Sequence, residues 1–117
     1  MEVHERTRCY IGKAMTLINE TFKYSDQIKN GRDSFYILSK CTEELGELSV
    51  EVQIKEGVSY KQAGKDGVVG EAIDLITCLL DMIHVNYPDL TEEDLLAIAI
   101  PKLEKWKEKA TLVSHNG

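Results

Sequence analysis

Proline is scarce in this sequence, with only Pro88 and Pro101 in 117 residues. Because proline removes a backbone donor and clashes within a helix, its scarcity favours long helices. Strand signals are almost absent, since no alternating run rich in β-branched residues lies between turn dipeptides. The sequence therefore predicts an all-α fold.

Cysteine pairs and long apolar runs are also missing. Cys9, Cys41 and Cys78 lie far apart with no C-x-x-C spacing, which argues against a disulfide framework or a zinc site. They are predicted to be small apolar core residues in a reducing cytosol. The longest apolar stretch, residues 75–85, is too short to cross a bilayer. The N-terminus is charged, with no apolar signal-peptide region. We therefore expect a cytoplasmic protein that does not bind membranes.

Basic residues are outnumbered by acidic ones, since the chain has 14 lysine and arginine residues, 20 aspartate and glutamate residues and a net charge of -6. A nucleic-acid surface needs a basic patch, so no nucleic-acid partner is expected. The length fits one domain covering residues 1–117, and the 43% hydrophobic content suffices for a core.

Helical periodicity predicts a bundle of four to five helices. The first is expected over about Val3 to Phe22. The second begins after a cap at Asp33 or Ser34 and stops near Gly57. The third runs from Asp66 or Val68 to Asn86. A capping box at residues 91–94 opens the fourth, which Pro101 is expected to kink or split.

Two acidic pairs, Glu44-x-x-Glu47 and Glu71-x-x-Asp74, carry the strongest functional signal. Residues three apart share a helical face, so two packed helices would direct four carboxylates at one point. A hard divalent cation would neutralise that charge, and Mg²⁺ or Mn²⁺ prefers oxygen ligands. The pattern therefore predicts a metal-dependent reaction on a phosphate compound.

Both acidic pairs adjoin apolar stripes. On the second helix, the predicted apolar stripe contains Cys41, Leu45, Leu48 and Val52, and an acidic stripe with Lys40 lies beside it. A purely solvating face would usually lie opposite the core. The third helix has an apolar arc of about half its circumference, which predicts burial in an oligomer.

Two other functions fit part of the pattern. A non-catalytic helical dimerisation module would keep acidic residues for solubility, but it does not explain why both pairs adjoin apolar stripes. A carboxylate-bridged di-iron bundle would need histidines paired with the acidic clusters, and they are lacking.

The sequence EELGEL at residues 43–48, followed by GEAIDL at residues 70–75, resembles the paired acidic motif of the MazG-like all-α nucleoside triphosphate pyrophosphatase superfamily. The resemblance covers roughly residues 35–110. It implies a helical bundle that forms homodimers or homotetramers. It also implies Mg²⁺-dependent cleavage of a nucleoside triphosphate to the monophosphate and pyrophosphate. Carried onto this chain, the metal ligands become Glu44, Glu47, Glu71 and Asp74. We expect Glu47 or Glu44 to act in catalysis, with Glu43 as another candidate base.

Near the C-terminus, many members of that family carry a run like K-L-E-K-N-K-x-R, and this chain departs from it. Trp106 replaces the asparagine and Lys109 replaces the arginine. Lysines can neutralise phosphate without the bidentate fork of arginine. Trp106 could stack on a base, although a core or interface tryptophan is the commoner case. The candidate substrate-binding residues are Lys40, Lys65, Lys102, Lys105, Trp106 and Lys109.

Overall fold

A computed structural model of the protein describes residues 15–116, and the side chains of residues 15–112. This part of the chain contains four helices and no strand, which confirms the all-α prediction. We label the helices α1 (Leu17–Gln27), α2 (Ser34–Lys55), α3 (Gly67–Asn86) and α4 (Glu92–Asn116). None of these helices is both long and apolar enough to cross a membrane.

The first described helix begins and ends at other residues than predicted. Residues 3–14 of the predicted helix, with Cys9, lie outside the described residues. Thr16 is an extended N-cap whose side chain accepts a hydrogen bond from the Asn19 amide, so a helix begins at Leu17. It continues past Phe22 to Gln27.

The boundaries of α2 follow local capping chemistry. The Asp33 carboxylate caps its start by accepting from the Tyr36 amide at 2.8 Å. At its end, Gly57 has a φ of 77° and donates its N–H to the Ile54 carbonyl, while Val58 donates to Gln53. This is a Schellman motif, in which glycine adopts the left-handed conformation without a Cβ penalty. The predicted stop near Gly57 is confirmed.

Capping also begins α4, where Thr91 and Asp94 form the predicted box. The Asp94 amide donates to the Thr91 hydroxyl at 3.2 Å, and the Thr91 amide donates to the Asp94 carboxylate at 2.9 Å. Of the kink or split predicted at Pro101, the split is wrong, because α4 continues through Pro101, and the kink stays a prediction. Proline leaves the carbonyl four residues earlier, at Ala97, without a helical donor. Ala97 is exposed, so water can satisfy that carbonyl.

α3 lies at the centre of the packing, with α1 and α2 against it. α2 and α3 are antiparallel, since the Ser34 hydroxyl donates to the Asn86 side chain at 2.8 Å at one end. In the middle, Cys41 of α2 and Cys78 of α3 are neighbours. This register places the two acidic pairs at the same level of the helix pair.

Polar and aromatic contacts fix α1 to α3. The Phe22 and His84 rings stack with centroids 4.5 Å apart. His84 Nε2 also lies 2.6 Å from Asp26 Oδ1. The Ser25 hydroxyl donates to Asp81 at 2.6 Å. These contacts make His84 a buried packing residue.

The face of α2 that packs inward matches the predicted apolar stripe only in part. Its three buried residues are Ile37, Cys41 and Glu51, and Glu44 and Leu48 lie half-buried between them at spacings of four and three residues. Leu45 and Val52, expected in the apolar core stripe, are 55% and 41% exposed. The prediction of those two as core residues is wrong. The helix is rotated so that acidic residues enter the packed stripe.

On α3, the predicted apolar arc is covered only in part. Its half-buried members are Val68, Ala72, Leu75, Leu80 and Ile83. Val69, Ile73, Ile76 and Leu79 are exposed, whereas Glu71 and Cys78 are half-buried. α4 packs little against the other three helices. Every described side chain from residue 100 to residue 112 is exposed.

Candidate metal centre

Three carboxylates from the two predicted acidic pairs come together between α2 and α3. Glu44, Glu47 and Glu71 each offer an oxygen, and these oxygens lie within 4.8 Å of one another. We call these three residues the carboxylate cluster. Glu44 and Glu71 are half-buried, and Glu47 is exposed. The cluster exists because three-residue spacing puts Glu44 and Glu47 on one face, and the antiparallel register brings Glu71 opposite them.

Asp74, the fourth predicted ligand, is exposed and lies outside this group of three oxygens. Its charge nevertheless raises the pKa of both Glu44 and Glu71. Asp74 therefore lies at the edge of the cluster, on the turn of α3 that follows Glu71.

Burial and neighbouring carboxylates raise the pKa of two members of the cluster. Burial, followed by the hydrogen bond and charge of Glu47, raises the pKa of Glu71 from 4.5 to about 7. Burial, and then the charges of Glu47 and Asp74, raise the pKa of Glu44. Like charges in a desolvated group cannot all ionise without a counter-ion. The raised pKa of Glu71 means that folding favours its protonated form when no cation is bound.

Two unpartnered oxygens mark the cluster as a group that could hold a cation. Glu44 Oε2 and Glu71 Oε2 are buried, and neither has a hydrogen-bond partner. Buried polar atoms are normally paired, so these two need a ligand that donates or carries positive charge. An all-oxygen donor set of carboxylates suits Mg²⁺ or Mn²⁺ better than softer metals.

Cys41 and Cys78 adjoin the cluster, and burial keeps their thiols unreactive. Desolvation, and then the neighbouring Cys41, raise the pKa of Cys78 to about 11, and desolvation also raises the pKa of Cys41. Since the thiolate is the reactive form, these side chains pack as small apolar groups at physiological pH.

Lys40 lies one turn before Glu44 on α2 but pairs with Glu43 instead. Its Nζ lies 3.2 Å from Glu43 Oε2, and also 5.7 Å from the centroid of the Tyr36 ring. The Glu43 hydrogen bond and charge raise the pKa of Lys40. Both charged groups are largely exposed, so the pair adds little stability.

The remaining predicted substrate residues lie in two places. Lys65 is exposed in the connection between α2 and α3. The others are on the exposed second half of α4, namely Lys102, Lys105, Trp106 and Lys109. Because α4 packs little on α2 and α3, a single chain does not complete a site from these residues and the carboxylates. Trp106 is 68% exposed, so it is not a core residue of the monomer.

Glu51 is a residue whose role the sequence did not indicate. It is buried, with 8% of its surface exposed, one turn beyond Glu47 on α2. Its Oε1 accepts the Gly64 amide, and its Oε2 has no partner. The recurring four-and-three spacing from Ile37 through Glu51 was the signal that would have placed it inside.

Comparisons of the chain with protein-family models, curated proteins and solved structures gave no match. The resemblance to the MazG-like superfamily therefore rests on the two acidic motifs and their flanking sequences.

Proposed function

We propose that this protein is a MazG-like, Mg²⁺-dependent nucleoside triphosphate pyrophosphohydrolase. The observation that carries the proposal is the meeting of Glu44, Glu47 and Glu71 within 4.8 Å, from two motifs that are 24 or more residues apart in sequence. Unpaired buried oxygens on Glu44 and Glu71 support it, since a cation would satisfy them.

Glu44, Glu47 and Glu71 would hold the ion, with Asp74 at the edge. When bound, the ion would neutralise the triphosphate, orient it and lower the pKa of a water that attacks phosphorus. The protein's own contribution is to keep these carboxylates close in a partly desolvated site. Glu47 is the exposed member of the cluster, so it is best placed to accept a proton from the water.

The competing functions explain less. A di-iron bundle needs histidine beside the carboxylates, but within the described residues the cluster contains glutamates alone. His84 instead stacks on Phe22 and binds Asp26. A dimerisation module leaves unexplained why the molecule concentrates repelling carboxylates between two helices, at the expense of stability.

A homodimer, or a homotetramer built from it, is part of the proposal. Leu38, Leu45 and Val52 form an exposed line with seven-residue spacing on α2. Val69, Ile73 and Ile76 form an exposed stripe on α3. A second chain would cover both stripes, and its α4 would bring lysines and Trp106 to the carboxylates. This supplies what a single chain lacks.

The deciding assay measures pyrophosphate release from a panel of nucleoside triphosphates and their deoxy forms, with Mg²⁺ and with chelator. We expect release with Mg²⁺ from at least one nucleotide, a matching monophosphate product, and none with chelator. Absence of hydrolysis across the panel, at micromolar enzyme, would refute the proposed activity.

Glu47→Gln or Asp74→Asn should lower kcat by about 10²-fold or more, because each removes a charge that positions the ion. Glu56→Gln is the matched control, since Glu56 is exposed at the end of α2 and pairs with Lys55 at 2.8 Å. Circular dichroism should show equal helix content in all three. Full activity in both site variants would rule out the assigned site.

A further inference from the structure

The connection between α2 and α3 is attached to α2 at one described side-chain contact. The Gly64 amide donates to Glu51 Oε1 at 2.5 Å. Lys65 follows Gly64 directly, and residues 58–66 separate the end of the α2 cap from α3. Glu51 lies four residues after Glu47, which is about 6 Å along the helix axis. The contact therefore holds the connection next to the carboxylate cluster.

Two features show that this contact is specific. Glu51 is more than nine-tenths buried, and only one of its carboxylate oxygens has a hydrogen-bond partner. Burying a carboxylate with a single hydrogen bond costs free energy, which a contact of no importance would not be expected to retain. At Gly64, an added Cβ would lie 2.8 Å from Glu51 Oε1. The absence of a side chain at residue 64 permits the close approach of backbone and carboxylate.

We propose that Glu51 is a positioning residue, which anchors residues 58–66 through Gly64 and so holds Lys65 beside the carboxylate cluster, where it neutralises substrate phosphate. The role of Lys65 rests on the proposed pyrophosphohydrolase function. Lys65 carries the positive charge that a triphosphate needs in addition to a divalent ion.

The anchor is tested without activity by limited trypsin digestion, because Lys61 and Lys65 are both in the connection. Glu51→Ala should raise the cleavage rate at these lysines about tenfold, since the Gly64 amide loses its acceptor. Glu51→Gln keeps an acceptor oxygen and should stay within about twofold of wild type. Gly64→Ala requires the Glu51 carboxylate to shift and should accelerate cleavage less than Glu51→Ala does.

Kinetics test the positioning. In Glu51→Ala, KM for the nucleotide should rise about tenfold while kcat changes less than about threefold. Glu51→Gln should restore KM. Lys65→Ala should raise KM in the wild type but add little in the Glu51→Ala background. Both changes remove the same proposed contact, the one between Lys65 and the substrate phosphate. Lys61→Ala is the matched control and should combine additively with Glu51→Ala.

The outcomes separate the two proposals. An inactive wild type refutes the pyrophosphohydrolase function and the substrate role of Lys65, and trypsin still decides the anchor. Equal cleavage rates in Glu51→Ala and wild type refute the anchor. Loss of activity in Glu51→Gln with a protected connection would show that the charge acts directly, which also overturns the positioning role. Thermal unfolding of each variant excludes general loss of structure as the cause of faster cleavage.

Discussion

At the scale of single residues, the carboxylate cluster makes the folded protein sensitive to pH. Glu71 has a pKa of about 7 in the folded chain against an ordinary 4.5. An acid whose pKa is raised by folding stabilises the protein while it is protonated. That contribution is fully present below about 4.5 and is lost as pH rises through 7.

Glu71→Gln should remove this pH dependence. In chelator, the wild type should lose stability relative to the variant as pH rises from 5 to 8, because the native state holds a proton that the unfolded chain releases earlier. Urea unfolding at pH 5, 6, 7 and 8 measures the difference. Saturating Mg²⁺ at pH 8 should recover the wild type more than the variant, since the variant lacks one ligand.

Glu56→Gln is the control for this comparison, because Glu56 is exposed and lies outside the cluster. Its stability should follow that of the wild type across the range. Parallel curves for Glu71→Gln and wild type would contradict the proposed origin of the pH dependence.

At the scale of helices, the α1–α2 connection is fastened to α3 by an ion pair. Arg32 donates through Nε at 2.9 Å and through Nη2 at 2.6 Å to the two Asp81 oxygens. Both side chains are mostly buried, at 10% and 17% exposed. The Arg32 hydrogen bond holds the pKa of Asp81 below its usual range. Ser25 joins the network from α1, so one carboxylate orders three segments.

Asp81→Asn should lower the free energy of unfolding by about 3 kcal/mol, because it leaves the Arg32 guanidinium buried without its charge partner. Urea denaturation at pH 7 measures this. Asp89→Asn is the matched exposed change, and it should stay within about 0.5 kcal/mol of wild type. A loss below 1 kcal/mol for Asp81→Asn would show that water replaces the carboxylate at little cost.

At the scale of the whole molecule, the described chain covers few of its own apolar side chains. Its buried apolar residues are Phe22, Ile37 and Cys41. Large apolar side chains stay exposed on α2, α3 and α4. Soluble monomers rarely tolerate contiguous patches of this kind. A second copy of the chain is the partner that the proposed function requires.

Wild-type protein should sediment at a multiple of 13.2 kDa at micromolar concentration. Leu45→Glu and Ile73→Glu should each shift the mass toward the monomer and reduce activity, because a charge would be buried in the interface. Tyr60→Glu is the control, since Tyr60 is 97% exposed in the α2–α3 connection. A monomer of full activity would refute both the dimer and a site shared between chains.

Local chemistry in the sequence was sufficient for most helix boundaries. Asp33, Gly57 and the Thr91–Asp94 box act through hydrogen bonds to backbone groups within five residues. The three-residue spacing of Glu44 and Glu47 likewise determined that they share a face. These features depend on neighbours in sequence, so no tertiary information was needed.

Only the tertiary structure decided which helical faces meet. Periodicity located the apolar stripes, but rotation of each helix about its axis depends on its neighbours. Leu45 and Val52 consequently proved exposed, and Glu44 and Glu51 entered the packed stripe. The contact of Glu51 with Gly64 spans 13 residues and a turn. Antiparallel packing of α2 and α3 created it, because no local rule brings a carboxylate to a backbone amide at that separation.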